Sequence, residues 1–227
     1  MNTYSKKYYQ QNCQLEDRPA LWFYARLVRS WLAPGPVLDF GCGTGFLMRR
    51  LRADLLVAGL ELSGYCRERL ESDLPEVPVY AEVSVLPKDT FSGVVALHVF
   101  EHIPDVELTG VLHELHKSLR PEGRMLCVMP DAGGRGMRLK GSNWSGYHDS
   151  THVNLKTAKE WQDFFFLNGF SVMHSGTDGL WDFPYSYRWV WLDCLRYAWG
   201  TVFQFLLGRL LLPVGSGESV VFLLQRE

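Results

Sequence analysis

The chain has 227 residues, five cysteines and a net charge of −2, with 47% hydrophobic and 21% charged residues. That length and mix suit a single globular domain over residues 1–227, with a core that needs no covalent staples. There is no basic surplus to neutralise a phosphate backbone, which argues against nucleic acid as a partner. The odd, widely spaced cysteines include no C-x-x-C pair, so the chain reads as reduced and cytoplasmic, without a zinc cluster.

Residues 1–14 are polar and tyrosine-rich and lack the apolar core of a signal peptide. Residues 18–32 carry apolar side chains at helical spacing, and Pro34-Gly35-Pro36 stops that helix. A short apolar run, 37–40, precedes a glycine cluster, as a buried strand would, and 46–53 reads as a helix. A second strand is expected over 55–62, followed by a helix capped by Ser63 and ending near Asp73. Further strands are expected over 77–81, 94–97 and 124–129. The 106–119 segment is expected to be helical, with a turn at Arg120-Pro121-Glu122-Gly123. Strands alternating with helices imply a mostly parallel sheet covered on both faces. Residues 131–154 are glycine-rich and polar and read as a long loop. Thr157 and Glu160 fit a capping box, so a helix should run to about Leu167, ended by Asn168-Gly169. Strands over 170–174 and 220–224 complete the pattern.

The region 179–214 is aromatic-rich and reads as a helical insertion before the last strand. Its uncharged core, 197–208, is shorter than the roughly 20 residues that span a bilayer. Three readings stay open: an extra pair of helices with aromatics filling the core, a cover over an apolar substrate, or peripheral membrane contact through 181–212. Arg188, Arg196 and Arg209 suit anionic headgroups or a phosphate in the last two.

Gly41-x-Gly43-x-Gly45 follows a strand and opens a helix, with Asp39 before it and Glu61 at the end of the next strand. Glycine lets the backbone turn sharply and lets a ligand approach it closely. Amides at a helix start face an anionic group, and a strand-end carboxylate suits a ribose diol. A dinucleotide fingerprint would need a third glycine where Phe46 stands. A plain strand–helix turn is the bland alternative.

Residues 37–45 resemble motif I of the class I S-adenosylmethionine-dependent methyltransferases. Glu82-Val83-Ser84-Val85-Leu86-Pro87 resembles the stretch after that family's third strand. Residues 91–105, through Phe100-Glu101-His102, resemble its fourth-strand motif, and 119–124 the turn before its fifth. The similarity is greatest to the subgroup that includes ubiquinone- and menaquinone-biosynthesis enzymes. The resemblance implies a Rossmann-like three-layer α/β sandwich, a seven-stranded, mostly parallel sheet with the last strand antiparallel. It implies S-adenosylmethionine as cofactor. Asp39, Gly41, Cys42 and Gly43 would surround its methionine end, Glu61 its ribose, and Leu62, Glu82 and Val83 its adenine. Leu97 and His98 would close the pocket. The family usually has aspartate where Glu82 and Gly93 stand. Residues 1–33, with Tyr4, Tyr8 and Tyr9, would form a helical lid, or else a frayed terminus.

The expected reaction is methyl transfer, to an oxygen of a small-molecule, glycan or lipid-like substrate. A catalytically silent partner or membrane-docked scaffold is the alternative. An alcohol acceptor would need a general base. His148 and His152, with Asp149 to orient either, are the candidates, since histidine titrates near neutrality. Asp149-x-Thr151-His152 would otherwise only brace the loop. His98-x-x-Glu101-His102 alone matches a zinc-peptidase pattern. Inside the fourth-strand motif, Glu101 and His102 read as holding the strand–helix turn, and no metal is expected.

Overall fold

A computed structural model describes residues 6–11, 15–32, 34–185 and 190–227. In chain order the helices are α1 (Lys6–Gln11), α2 (Ala20–Trp31), α3 (Phe46–Leu51), α4 (Gly64–Asp73), α5 (Asp105–Ser118), α6 (Arg135–Lys140), α7 (Ala158–Leu167) and α8 (Val190–Leu207). The strands are β1 (Val37–Phe40), β2 (Val57–Leu60), β3 (Val79–Tyr80), β4 (Phe91–Leu97), β5 (Leu119–Pro130), β6 (Phe170–Gly176) and β7 (Ser219–Arg226). They form one seven-stranded sheet in the order β3-β2-β1-β4-β5-β7-β6. Six strands run parallel and the last is antiparallel, as in a Rossmann-like fold. β1 pairs in parallel with β2 through Val37↔Val57 to Phe40↔Leu60, and with β4 through Val37↔Gly93 to Asp39↔Val95.

The chain divides into two compact units. The first runs through Leu97 and adds 111–126 and Arg226; the second holds 98–110, 127–225 and Glu227. In the first unit every β1 residue is buried, because strands covered on both faces are apolar throughout. α3, α4 and the turns beside them pack together through Cys42, Met48, Leu70, Leu74 and Val77, with Val57 of β2 and Val79 of β3 against them. Gly93 lies inside β4, and a Cβ there would sit 2.6 Å from Leu32 Cβ. The end of α2 leaves no room for a side chain there.

The second unit is built around aromatic rings. Trp161 stacks on Phe165 at 5.7 Å, and Phe165 also meets Phe100 and Phe222 at 6.0 Å each. The Thr157–Glu160 capping box forms as expected and starts α7; Gly169, at φ +81°, ends it.

Three expectations change. Residues 131–154 are not one loop: they hold α6 and 3₁₀ turns at 141–143 and 145–147. β5 begins at Leu119 rather than after the expected turn; the turn survives as a left-handed Glu122, φ +62°, within the strand. In the 179–214 insertion α8 is the one helix among the described residues, and its rings divide: Tyr197 and Phe205 are half-buried, whereas Trp191, Trp199 and Phe203 are exposed.

Replacing Phe165 by alanine removes the hub of the ring cluster and should cost about 3–5 kcal/mol in urea unfolding. Thr157→Ala, which removes only the cap, should cost about 1 kcal/mol. Similar costs for the two would mean that the cluster is not the centre of this unit.

Candidate functional site

The glycine loop lies in the first unit. Gly41, Gly43 and Gly45 have φ of +72°, +54° and +80°, a region open to glycine at little cost. A Cβ on Gly45 would lie 2.4 Å from Leu70 Cδ2, so α4 packs directly on the turn. Among the described residues a Cβ on Gly43 would meet only Tyr9 Cε1, at 3.8 Å, so they leave that side of the loop open to a ligand. The amides do not wait for a phosphate. Gly41 and Cys42 N–H donate to Leu60 O at 2.8 and 3.1 Å, and Gly43 N–H donates to Glu61 Oε2 at 2.8 Å. The anion that the loop faces is the chain's own Glu61, in keeping with Phe46 at the position where a pyrophosphate loop has glycine.

Glu61 is 5% exposed. Its Oε1 accepts from Ser63 N–H at 2.7 Å and from the Tyr9 hydroxyl at 3.3 Å. Arg67 Nη1 donates to the carbonyls of Glu61 and Leu62, at 2.8 and 2.7 Å. Asp39, at the same end of the neighbouring strand β1, is 4% exposed, and its Oδ2 has no hydrogen-bond partner. Burial, and then the charge of Glu61, push its carboxyl up to about 7. Burial likewise raises the Tyr9 phenol and the Cys42 thiol above their ordinary ranges. An unpartnered buried carboxyl oxygen costs free energy until something donates to it. A cationic or N–H-bearing ligand beside Asp39 and Gly43 removes that cost, and the ammonium and sulfonium of S-adenosylmethionine fit that need.

Of the other residues expected at the cofactor, Leu62 is 63% exposed, Glu82 is exposed, and Val83, half-buried, opens a 3₁₀ turn at 83–85. Leu97 ends β4 half-buried. His98 begins the second unit in a left-handed conformation, φ +55°, and its Nδ1 lies 3.2 Å from Glu101 Oε1. Non-glycine residues held there mark strained segments, which concentrate at functional sites. Of the tyrosines assigned to a lid, Tyr9 on α1 is buried over the loop; Tyr4 and the Tyr8 side chain lie outside the described residues, as does Arg188.

The second unit gathers the histidines. His102 and His152 rings lie 4.8 Å apart. His152 Nδ1 is 2.7 Å from Gly146 O, and His102 Nδ1 is 3.2 Å from Thr151 O. Carbonyls only accept, so both Nδ1 atoms carry hydrogen and each neutral ring has its lone pair on Nε2. Thr151 Oγ1 lies 2.8 Å from His102 Nδ1 and donates to Asp149 Oδ1 at 2.5 Å. Thr151 N–H also donates to Asp149 Oδ1, at 2.8 Å. Asp149 therefore reaches His102 through Thr151, a link the sequence reading missed because it paired Asp149 with its neighbours in sequence. His148 is exposed. Glu101 is fully buried with Oε2 unpartnered, and one ligand atom each from Glu101, His102 and His152 lie within 4.8 Å of one another. Two imidazoles and a carboxylate could hold a divalent cation.

Asp39 yields a measurable pH dependence. Its carboxyl holds a proton more tightly folded, near 7, than at the ordinary value of 3.8. That contribution to stability is complete below the ordinary value and is lost as pH rises through the folded one. Wild type should therefore fall behind Asp39→Asn in urea-unfolding stability as pH rises from 4 to 7, with a constant gap above. A gap independent of pH over that range would show that Asp39 titrates as an ordinary carboxylate.

A family model described as a methyltransferase domain matches residues 15–175, well over half of the chain. A search of curated protein sequences finds no match. Among solved structures, an S-adenosylmethionine-dependent methyltransferase from Archaeoglobus fulgidus superposes with a TM-score of 0.67 at 14% identity, covering 96% of this chain and 99% of its own. A Thermotoga maritima protein described as a methyltransferase of that kind, possible histamine N-methyltransferase, gives 0.69 at 16% identity, covering 98% and 96%. At such identities the likeness concerns the fold. The family match and the fold agree: the chain belongs to the methyltransferase-domain family, and its cofactor is S-adenosylmethionine.

Proposed function

We propose that the chain transfers the methyl group of S-adenosylmethionine to an oxygen of a small-molecule, glycan or lipid-like acceptor, as an enzyme of the quinone-biosynthesis-type subgroup it resembles. The observation that carries this reading is Asp39, buried with an unpartnered oxygen beside Glu61 and the open side of Gly43. When bound, the cofactor supplies an electrophilic methyl group. In this reading Asp39, Gly41, Cys42 and Gly43 hold its methionine end, Glu61 accepts from its ribose hydroxyls, and Leu62, Glu82 and Val83 line the adenine. Leu97 and His98 close the pocket. Glu61 already accepts from the Tyr9 hydroxyl, the same kind of donor as a ribose hydroxyl. Residues 1–33 then act as a lid whose Tyr9 gives up that bond, or shares it, when the ribose enters.

For an alcohol acceptor the chain supplies a base and positions it. His148 is exposed and takes the proton from the acceptor hydroxyl. His152, with its lone pair on Nε2, is the second base candidate. Asp149 positions the cluster through Thr151.

Calorimetry should find micromolar-range binding of S-adenosylmethionine or its demethylated product. Gly43→Leu, which fills the open space beside Gly43, should abolish it. Retention of full affinity by that variant would remove the site from the glycine loop. His148→Ala should lower turnover of a hydroxyl acceptor by about 10²–10⁴-fold and leave donor affinity intact. Unchanged turnover would remove His148 from the mechanism.

A further inference from the structure

The polarity of α8 is inverted. Apart from the exposed Arg196, its hydrogen-bonding residues Asp193, Thr201 and Gln204 face inward, at 3%, 1% and 0% exposed. Each is bonded there. Asp193 Oδ2 accepts from Tyr185 N–H at 2.9 Å, and Thr201 Oγ1 accepts from Leu180 N–H at 3.0 Å. Gln204 donates to Thr177 O at 3.0 Å and accepts from the N–H groups of Leu211 and Leu212 at 3.1 and 3.2 Å. These contacts fix which side of the helix faces out. On that side stand Trp191, Leu195, Trp199, Val202 and Leu206, between 44% and 73% exposed. Their spacing of three and four residues sets them in one stripe. Leu192, Phe203 and Leu207, also exposed, widen it beyond the narrow seam with which two helices pair.

Charge indicates what covers this face. From Val190 to Gly217 the charged residues are Asp193, Arg196 and Arg209. Asp193 is buried, whereas both arginines are exposed, so every exposed charge on α8 and the segment after it is positive. A protein seam selects its partner with charges of both signs; an apolar face with tryptophans and a purely basic margin suits the boundary of an anionic bilayer. Among the described residues no helix is long and apolar enough to cross a membrane, so α8 would lie in the plane.

We propose that the outer face of α8 docks on the surface of a lipid bilayer carrying anionic headgroups. The apolar stripe enters the headgroup–acyl boundary, and Arg196 and Arg209 meet the headgroup phosphates. The docking does not depend on which acceptor is methylated and is measured without cofactor.

The test is flotation of the full chain with phosphatidylcholine vesicles, with and without about 30% phosphatidylglycerol, at low and high salt. The chain should float with the anionic vesicles, more weakly at high salt. Trp199→Glu and Leu206→Glu should each lower the partition coefficient at least about tenfold, since each removes a large apolar group from the boundary and adds a like charge. Both positions are exposed, so circular dichroism should be unchanged. Arg196→Glu with Arg209→Glu should abolish the preference for anionic over neutral vesicles. Three results would overturn the proposal: no flotation, flotation that the glutamate variants leave unchanged, or a dimer in light scattering that Trp199→Glu dissociates while lipid binding is absent. The last would assign the face to a second copy of the chain.

Discussion

The site in the first unit depends on one carboxylate. Glu61 accepts from Gly43 N–H, Ser63 N–H and the Tyr9 hydroxyl, and so ties together the glycine loop, the N-terminus of α4 and α1. A carboxylate has about four acceptor positions and no donor, so one side chain can gather all three. The cost falls next door: Asp39, buried at the end of the neighbouring strand, keeps its proton to near neutrality because burial, and then the nearby Glu61 carboxylate, disfavours its ionised form. The pair leaves the loop short of positive charge and of donors. A cationic cofactor with a hydroxylated ribose supplies both, whereas a pyrophosphate would bring more negative charge to amides already engaged.

The second unit arranges its polar groups by a different rule. Its buried polar side chains are satisfied mainly by backbone and by one another. Glu218 accepts from Trp144 Nε1 at 2.7 Å and from the Tyr185 hydroxyl. Asp193, Thr201 and Gln204 bond to the main chain around α8. Because those bonds require the polar side of α8 to face inward, its apolar side faces out. The exposed tryptophans follow from the buried glutamine. The same economy fixes the histidine tautomers: carbonyls from Gly146 and Thr151 take the Nδ1 hydrogens and leave both Nε2 lone pairs for a proton or a cation.

Much of this was legible in the residue order. The strand–glycine–helix transition at 37–46, the Ser63 and Thr157 caps and the Asn168-Gly169 stop are local events governed by φ preference and side-chain capping, and all stand where the sequence places them. Asp39 and Glu61 were legible for the same reason, since each sits at a strand end beside a turn. Residues 131–154 were not, because a glycine-rich composition does not reveal the short helix Arg135–Lys140 or the 3₁₀ turns. Nor was Thr151: its part in joining Asp149 to His102 depends on a contact across 49 positions of chain.

The sequence by itself determined the alternation of strands and helices, the strand–glycine–helix turn and the family, because these rest on local backbone preference and on motifs a few residues long. Tertiary structure alone decided which way α8 faces, that Leu32 leaves no room for a side chain at Gly93, and that Glu61 rather than a phosphate receives the loop amide. Each is settled by a group distant in sequence, whose burial and hydrogen bonds leave one arrangement satisfied.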